Sequence, residues 1–166
     1  SKPVLLEKSP PNLIRVDDIR AHFQPAKFII MVRNPYAHCE GLIRRNGWKP
    51  RRAANFSMMC LRRQLENRRK LDNALILTYE DLVQAPTAVC RQLGAFMPEL
   101  RDVDPAASFE VHSIDGTVDR PIVDLNTKKL ASLSASTIAT LNEVFEQHQQ
   151  MFSDWGYHLL TSGGST

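Results

Sequence analysis

One short run constrains this chain more than any other: Lys27-Phe28-Ile29-Ile30-Met31-Val32-Arg33, an unbroken apolar stretch bracketed by cations and followed by Asn34-Pro35. Continuous rather than alternating hydrophobicity at this length predicts a strand covered on both faces, as in a parallel sheet. Pro35 suits the first position of a helix, where its missing N–H would have no partner anyway, and that helix is expected to run to about Arg45. Ala74-Leu75-Ile76-Leu77-Thr78-Tyr79 repeats the strand pattern. It passes into Glu80-Asp81-Leu82-Val83, then Pro86 and an amphipathic helix through Val89, Leu93 and Phe96.

Between the two strands the spacing predicts a long helix from about Arg52 to Leu71, with Phe56, Met59, Leu61 and Leu65 on its buried side. Upstream, Val4-Leu5-Leu6 reads as the end of a strand, closed by the Pro-rich turn Glu7 to Asn12, and Leu13 to Phe23 has helical spacing. After Pro98 the periodicity weakens. Arg101 to Pro121 reads as a loop or lid, carrying His112 and Ser113, before helices over 126–130 and 134–152 and a closing Trp155-Gly156-Tyr157. Buried strands alternating with helices give an α/β fold with a parallel sheet flanked by helices. A single domain over 1–160 is expected, with 161–166 as a flexible tail.

The 166 residues, 43% of them hydrophobic, can bury a core without disulfides or metal. No apolar run approaches the ~18 residues of a membrane span. Cys39, Cys60 and Cys90 are an odd set without a CxxC pair, which favours reduced thiols and a cytoplasmic setting. The five histidines form no HExxH, so no zinc site is expected. Charge is unevenly placed: ten basic residues lie between Arg44 and Lys70, opposed there by Glu66 alone. Such a band either attracts anions or is a solvated helix face.

In open α/β sheets, ligands sit beyond the carboxyl ends of the strands, which points at Glu7-Lys8-Ser9, Arg33-Asn34 and Tyr79-Glu80. A guanidinium at Arg33, where a helix begins, suits a phosphate. The alternative is a structural pair with Glu80 or Asp81. Lys8 could neutralise a leaving phosphate or sulfonate oxygen, or be a surface lysine in a turn. Tyr79 could stack on a base, or be a half-buried ring at a strand end. Glu7 could act as a general base, or pair with a neighbouring cation.

Taken in order, Glu7-Lys8-Ser9-Pro10, Ala26 to Pro35 with its Arg33-Asn34-Pro35 end, Leu77-Thr78-Tyr79-Glu80-Asp81-Leu82 through Pro86, and Trp155-Gly156-Tyr157 resemble the sulfotransferase family. The resemblance implies a P-loop nucleotide-kinase-like α/β fold and 3′-phosphoadenosine 5′-phosphosulfate (PAPS) as sulfonate donor, with no metal. It makes Arg33 the arginine of the 3′-phosphate segment, sets Tyr79 near the adenine, and sets Lys8 near the transferred sulfonate. Sulfuryl transfer, like phosphoryl transfer, needs charge placed on leaving and non-bridging oxygens more than covalent help.

Two departures stand out. Eight residues after the arginine the family pattern has a serine whose hydroxyl meets the 3′-phosphate, and here the position is Gly41, with Arg44 and Arg45 as nearby cations that could substitute. The Gly-Ser/Thr-rich phosphosulfate loop is also missing, since none of the seven glycines lies in such a context. The chain is therefore expected to be the C-terminal part of a longer enzyme, partnered by its N-terminal segment, and to bind donor poorly and catalyse little by itself. The resemblance implies a small-molecule or glycan acceptor bearing a hydroxyl or amine. The competing reading is a non-catalytic module whose basic 44–70 segment grips an anionic polymer. No helix-turn-helix or RNP-type motif favours nucleic acid, and a P-loop kinase relative is disfavoured by the same missing loop.

Overall fold

The central apolar run forms a strand because it has a partner to pair with and a helix to pack under. In the computed structural model, which describes residues 4–113 and 116–161, β1 (Phe28–Val32) pairs in parallel with β2 (Ala74–Thr78), in register from Phe28↔Ala74 to Val32↔Thr78. Parallel neighbours require a long crossover. Here it is two helices, α2 (Pro35–Asn46) and α3 (Pro50–Lys70). Before β1 lie a 3-10 turn over Pro10–Ile14 and α1 (Val16–His22). After β2 come α4 (Tyr79–Gln84), α5 (Pro86–Phe96) and an antiparallel hairpin of β3 (Phe109–Ser113) and β4 (Gly116–Arg120). The last helices are α6 (Asn126–Ala131), α7 (Ala135–Phe145) and α8 (Gln149–Asp154). The fold is α/β, with helices packed against a parallel sheet.

Helix ends follow from local chemistry. Asn34 caps α2, its side-chain oxygen accepting from the N–H groups of Tyr36 at 2.9 Å and Ala37 at 3.3 Å, with Pro35 at the first position. Gly47 ends the same helix in the left-handed region, φ 64°, which a side chain would resist. Thr78 starts α4 by accepting from the Asp81 N–H at 2.9 Å and donating its hydroxyl back to the Asp81 carboxylate. Ser134 caps α7 through the Thr137 N–H at 3.1 Å.

The core lies on the α3 side of the sheet, where Ile30 and Val32 meet α2, α3 and α7. Its centre is aromatic: Tyr36 stands edge-on to Phe145 with centroids 4.9 Å apart, and Phe145 meets Phe152 at 4.8 Å. Such pairs each add about 0.5–1.5 kcal/mol beyond their buried area. Behind β2, Leu77 and Val89 are buried where α5 packs on that strand.

Four expectations need correction. The strand β1 is not covered on both faces, since Ile29 and Met31 are 37% and 42% exposed; α5 shields β2 but not its neighbour. The buried side of α3 is Ala53, Ala54, Ser57, Met58 and Leu61, while Phe56 and Met59 lie outside it. Small residues let α2 approach α3 closely, and Phe56 instead packs edge-on against Trp48 at 5.3 Å. Val4-Leu5-Leu6 is exposed and forms no strand, since among the described residues none pairs with it. The segment expected to be all loop contains the β3–β4 hairpin. Ile114 and Asp115 at its tip, the side chains of His112 and Ser113, and the tail from 162 onward lie outside the described residues.

Among the described residues no helix is long and apolar enough to cross a membrane. All three cysteines are free, and burial pushes the Cys39 thiol up to about 12, which leaves it protonated and unreactive. The Tyr36 hydroxyl, fully buried, donates to Asn142 and accepts from the Leu160 N–H at 2.9 Å. Tyr36→Phe leaves both partners unpaired and should cost about 1–3 kcal/mol. In urea melts this appears as a lower midpoint with an unchanged slope.

Candidate functional site

The carboxyl ends of β1 and β2 meet at Glu80. Its Oε1 accepts from the Asn34 backbone N–H at 2.9 Å and from the Asn126 side-chain amide, and its Oε2 accepts from the Tyr157 hydroxyl at 2.9 Å. One carboxylate thus joins the tips of both strands, the start of α6 and the chain after α8. Burial, then the charge of Glu80, pushes the Tyr157 phenol up, so it stays a donor at any ordinary pH.

Arg33 pairs with neither Glu80 nor Asp81, and among the described residues it makes no salt bridge. Its Nε donates to Asn126 Oδ1 at 2.7 Å, and its guanidinium lies 3.9 Å above the Tyr79 ring. Guanidinium and carboxylate leave the Asn126 amide one possible orientation, oxygen toward Arg33 and nitrogen toward Glu80. Arg33 Nη2 is buried and, among the described residues, has no hydrogen-bond partner. A charged donor left so is costly, and it is the group an incoming anion would satisfy.

The helix α6 supplies a second cation. Asp124, held below its usual value by the hydrogen bonds of the Thr127 hydroxyl and the Asn126 N–H, fixes the start of that helix. Asn126 and Lys129, three apart, then share one face. Lys129 Nζ binds Glu40 on α2, whose other oxygen takes Arg44 Nε at 2.8 Å. Burial alone would raise the Glu40 carboxyl, but Lys129 and then Arg44 outweigh it and hold it below the ordinary range. Both cations act on His38, whose Nδ1 lies 3.2 Å from the Ser57 hydroxyl. Burial first, then the charges of Arg33 and Lys129, hold its pKa down and keep it neutral.

Of the residues that sequence singled out, the structure brings Arg33, Tyr79 and Glu80 together. Tyr79 carries Arg33 on one ring face, and its hydroxyl donates to the Val123 carbonyl at 2.9 Å while accepting from the Leu125 N–H at 3.0 Å. Gly41 lies on α2, where an added Cβ would meet Lys129 Nζ at 3.6 Å, an ordinary contact, so a serine would fit. Arg44 is committed to Glu40, and Arg45 is exposed at the end of α2. Glu7 and Lys8 are exposed on the segment before the first turn and join nothing in this cluster. Asn126, Lys129, His38 and Glu40 were missed. For the two on α6 the one signal in sequence is the Asp-x-Asn-Thr start of that helix, which marks a helix and not a site, and His38 and Glu40 carry none.

The basic band is largely engaged. Arg51 pairs with Glu143, Arg63 with Glu66, Arg69 with Asp154 and Lys70 with Asp17, while Arg52 and Arg68 lie over the rings of Trp48 and Trp155. Among the described residues no group of His, Cys, Asp and Glu could hold a metal ion.

Asn126→Asp sets a second carboxylate against Glu80. The pair then shares a proton whose folded-state pKa is raised, so the variant loses stability as pH rises. Thermal melts should show its deficit at about pH 8 shrinking at about pH 5. His38 works oppositely: its folded pKa lies below the ordinary 6.5, so protons taken up by the unfolded chain erode stability as pH falls below that value. His38→Gln should flatten this part of the profile in urea melts across the same range.

The sequence model of the sulfotransferase family matches residues 1–101, which include β1, α2, α3, β2, α4 and α5. No curated protein and no solved structure matches the chain. Arg33, Tyr79 and Glu80 lie inside the matched stretch and Asn126, Lys129 and Tyr157 beyond it. With well over half its length under that model, the chain belongs to the sulfotransferase family.

Proposed function

We propose that the protein transfers a sulfonate from PAPS to a hydroxyl or amine on a small-molecule or glycan acceptor, and that Arg33 holds the donor's 3′-phosphate. The observation that carries this reading is the unpartnered, buried Nη2 of Arg33 at the carboxyl end of β1. The donor set suits a phosphate: a guanidinium with a free N–H, a neutral histidine beside it and a lysine beyond. When bound, the donor supplies a sulfonate already attached to a good leaving phosphate.

The chain's own residues position and neutralise. Tyr79 fixes the guanidinium plane from below, Asn126 holds Nε, and the free Nη2 meets the phosphate at little cost in ordering. In this reading Tyr79 serves the adenine site by orienting Arg33, since that face of its ring is taken. Lys8, at the EKSP segment, is the candidate for charge stabilisation of the transferred group, and Glu7 for the acceptor proton. Both are exposed and free to turn toward bound ligand. A polymer-binding role for the basic band gains nothing from a helix whose cations are mostly paired within the chain.

Calorimetric titration with adenosine 3′,5′-bisphosphate and adenosine 5′-monophosphate tests the reading, because their affinity ratio isolates the 3′-phosphate. The wild-type chain should prefer the bisphosphate, and Arg33→Ala should cut that preference at least about tenfold, the worth of one charge-assisted hydrogen bond. Equal affinity for both nucleotides, or tight single-stranded DNA binding with no nucleotide preference, would defeat it.

A further inference from the structure

We infer that Lys129 is the second cation of this phosphate site, reaching it across the gap that Gly41 leaves. The inference deepens the donor reading above and rests on it. Gly41 has no side chain, and a Cβ built there would lie 3.6 Å from Lys129 Nζ. The ammonium therefore lies beside the place on α2 where a short polar side chain would otherwise project.

The cation is not exhausted by its ion pair. An ammonium has three donors, and among the described residues Lys129 Nζ uses one, toward Glu40 Oε2. Glu40 is served twice, since Arg44 holds its other oxygen, so two cations flank one carboxylate and positive charge is left over. The lysine side chain keeps 15% of its surface open, against 7% for the carboxylate. Lys129 also acts on the same imidazole as Arg33: His38 stands within the field of both charges. One guanidinium with an orphaned N–H and one ammonium with spare donors, both acting on the same neutral histidine, suit a phosphate monoester dianion better than a singly charged group. A site built this way needs no hydroxyl at position 41.

A purely structural role makes a different prediction. If Lys129 only closes the Glu40 pair, breaking that pair from either side weakens nucleotide binding alike. If Lys129 also grips the phosphate, Lys129→Met weakens it, whereas Glu40→Gln, which releases the lysine from its carboxylate, strengthens it. Both variants are titrated with adenosine 3′,5′-bisphosphate and adenosine 5′-monophosphate beside Arg33→Ala. The expected result is a loss of about tenfold in bisphosphate preference for Lys129→Met and a gain of about twofold or more for Glu40→Gln. Should Lys129→Met fail to fold, Glu40→Gln decides alone: a gain supports the inference, and no change or a loss overturns it. Preference lost in Arg33→Ala but kept in Lys129→Met overturns the role of Lys129 and leaves the donor reading standing. Preference absent from the wild type, or indifferent to Arg33→Ala, removes the donor reading and this inference with it.

Discussion

A single amide decides what the strand tips can do. Asn126 stands between a guanidinium and a carboxylate that would otherwise pair directly, its oxygen on Arg33 and its nitrogen on Glu80. Direct pairing would spend the guanidinium fork on the nearest anion of its own chain. The inserted amide satisfies Nε, leaves Nη2 unspent and lets Glu80 be neutralised by dipoles from Asn34, Asn126 and Tyr157. The architecture around it serves that placement. The strand β1 delivers Arg33 and α4 delivers Glu80, while the packing of Trp155 under Arg68 brings Tyr157 back to the same point.

The second carboxylate is treated in the opposite way. Glu40 is nearly as buried as the aromatic core, yet it is met by two full charges, Lys129 and Arg44, where Glu80 makes no ion pair among the described residues. Removing one partner of such a pair leaves an uncompensated charge in a poor solvent, so the geometry of α2 against α6 is held firmly. Beside Arg33 and Lys129, His38 stays neutral. A protonated imidazole there would repel both of its neighbours, and burial adds to the same bias.

Much of this was legible in the residue pattern, for reasons that also explain what was not. The run Phe28 to Val32, the Asn34-Pro35 helix start and the second strand were readable because propensity, capping chemistry and hydrophobic continuity agree locally. The seam of α3 is not legible in sequence because two of its largest apolar residues, Phe56 and Met59, lie off its buried face. A close helix crossing selects small side chains, and Ala53, Ala54 and Ser57 carry no hydrophobic signal in proportion to their burial. Exposure of Ile29 and Met31 was equally invisible, since an apolar strand reads the same whether one face or two are covered. Arg33, Tyr79 and Glu80 could be found from the rule of strand ends. Asn126 and Lys129 could not, because they lie on a six-residue helix far along the chain and enter through a fold contact.

That division has a consequence for how the site is built. The stretch that matches the family model contributes the fixed parts: a strand, its arginine and the acid at the next strand tip. The parts that determine whether the arginine is free, and whether another cation stands beside it, come from α6, outside that stretch. A helix of two turns held by the Asp124 and Thr127 contacts is a small structural commitment, able to vary without disturbing the sheet. Under the proposed reading, the strength of anion binding is set at positions 126 and 129 while the strand-end motif stays as it is. On that reading a serine on α2 and a lysine on α6 are alternative solutions to one electrostatic requirement, since a side chain at position 41 and the Lys129 ammonium border the same space.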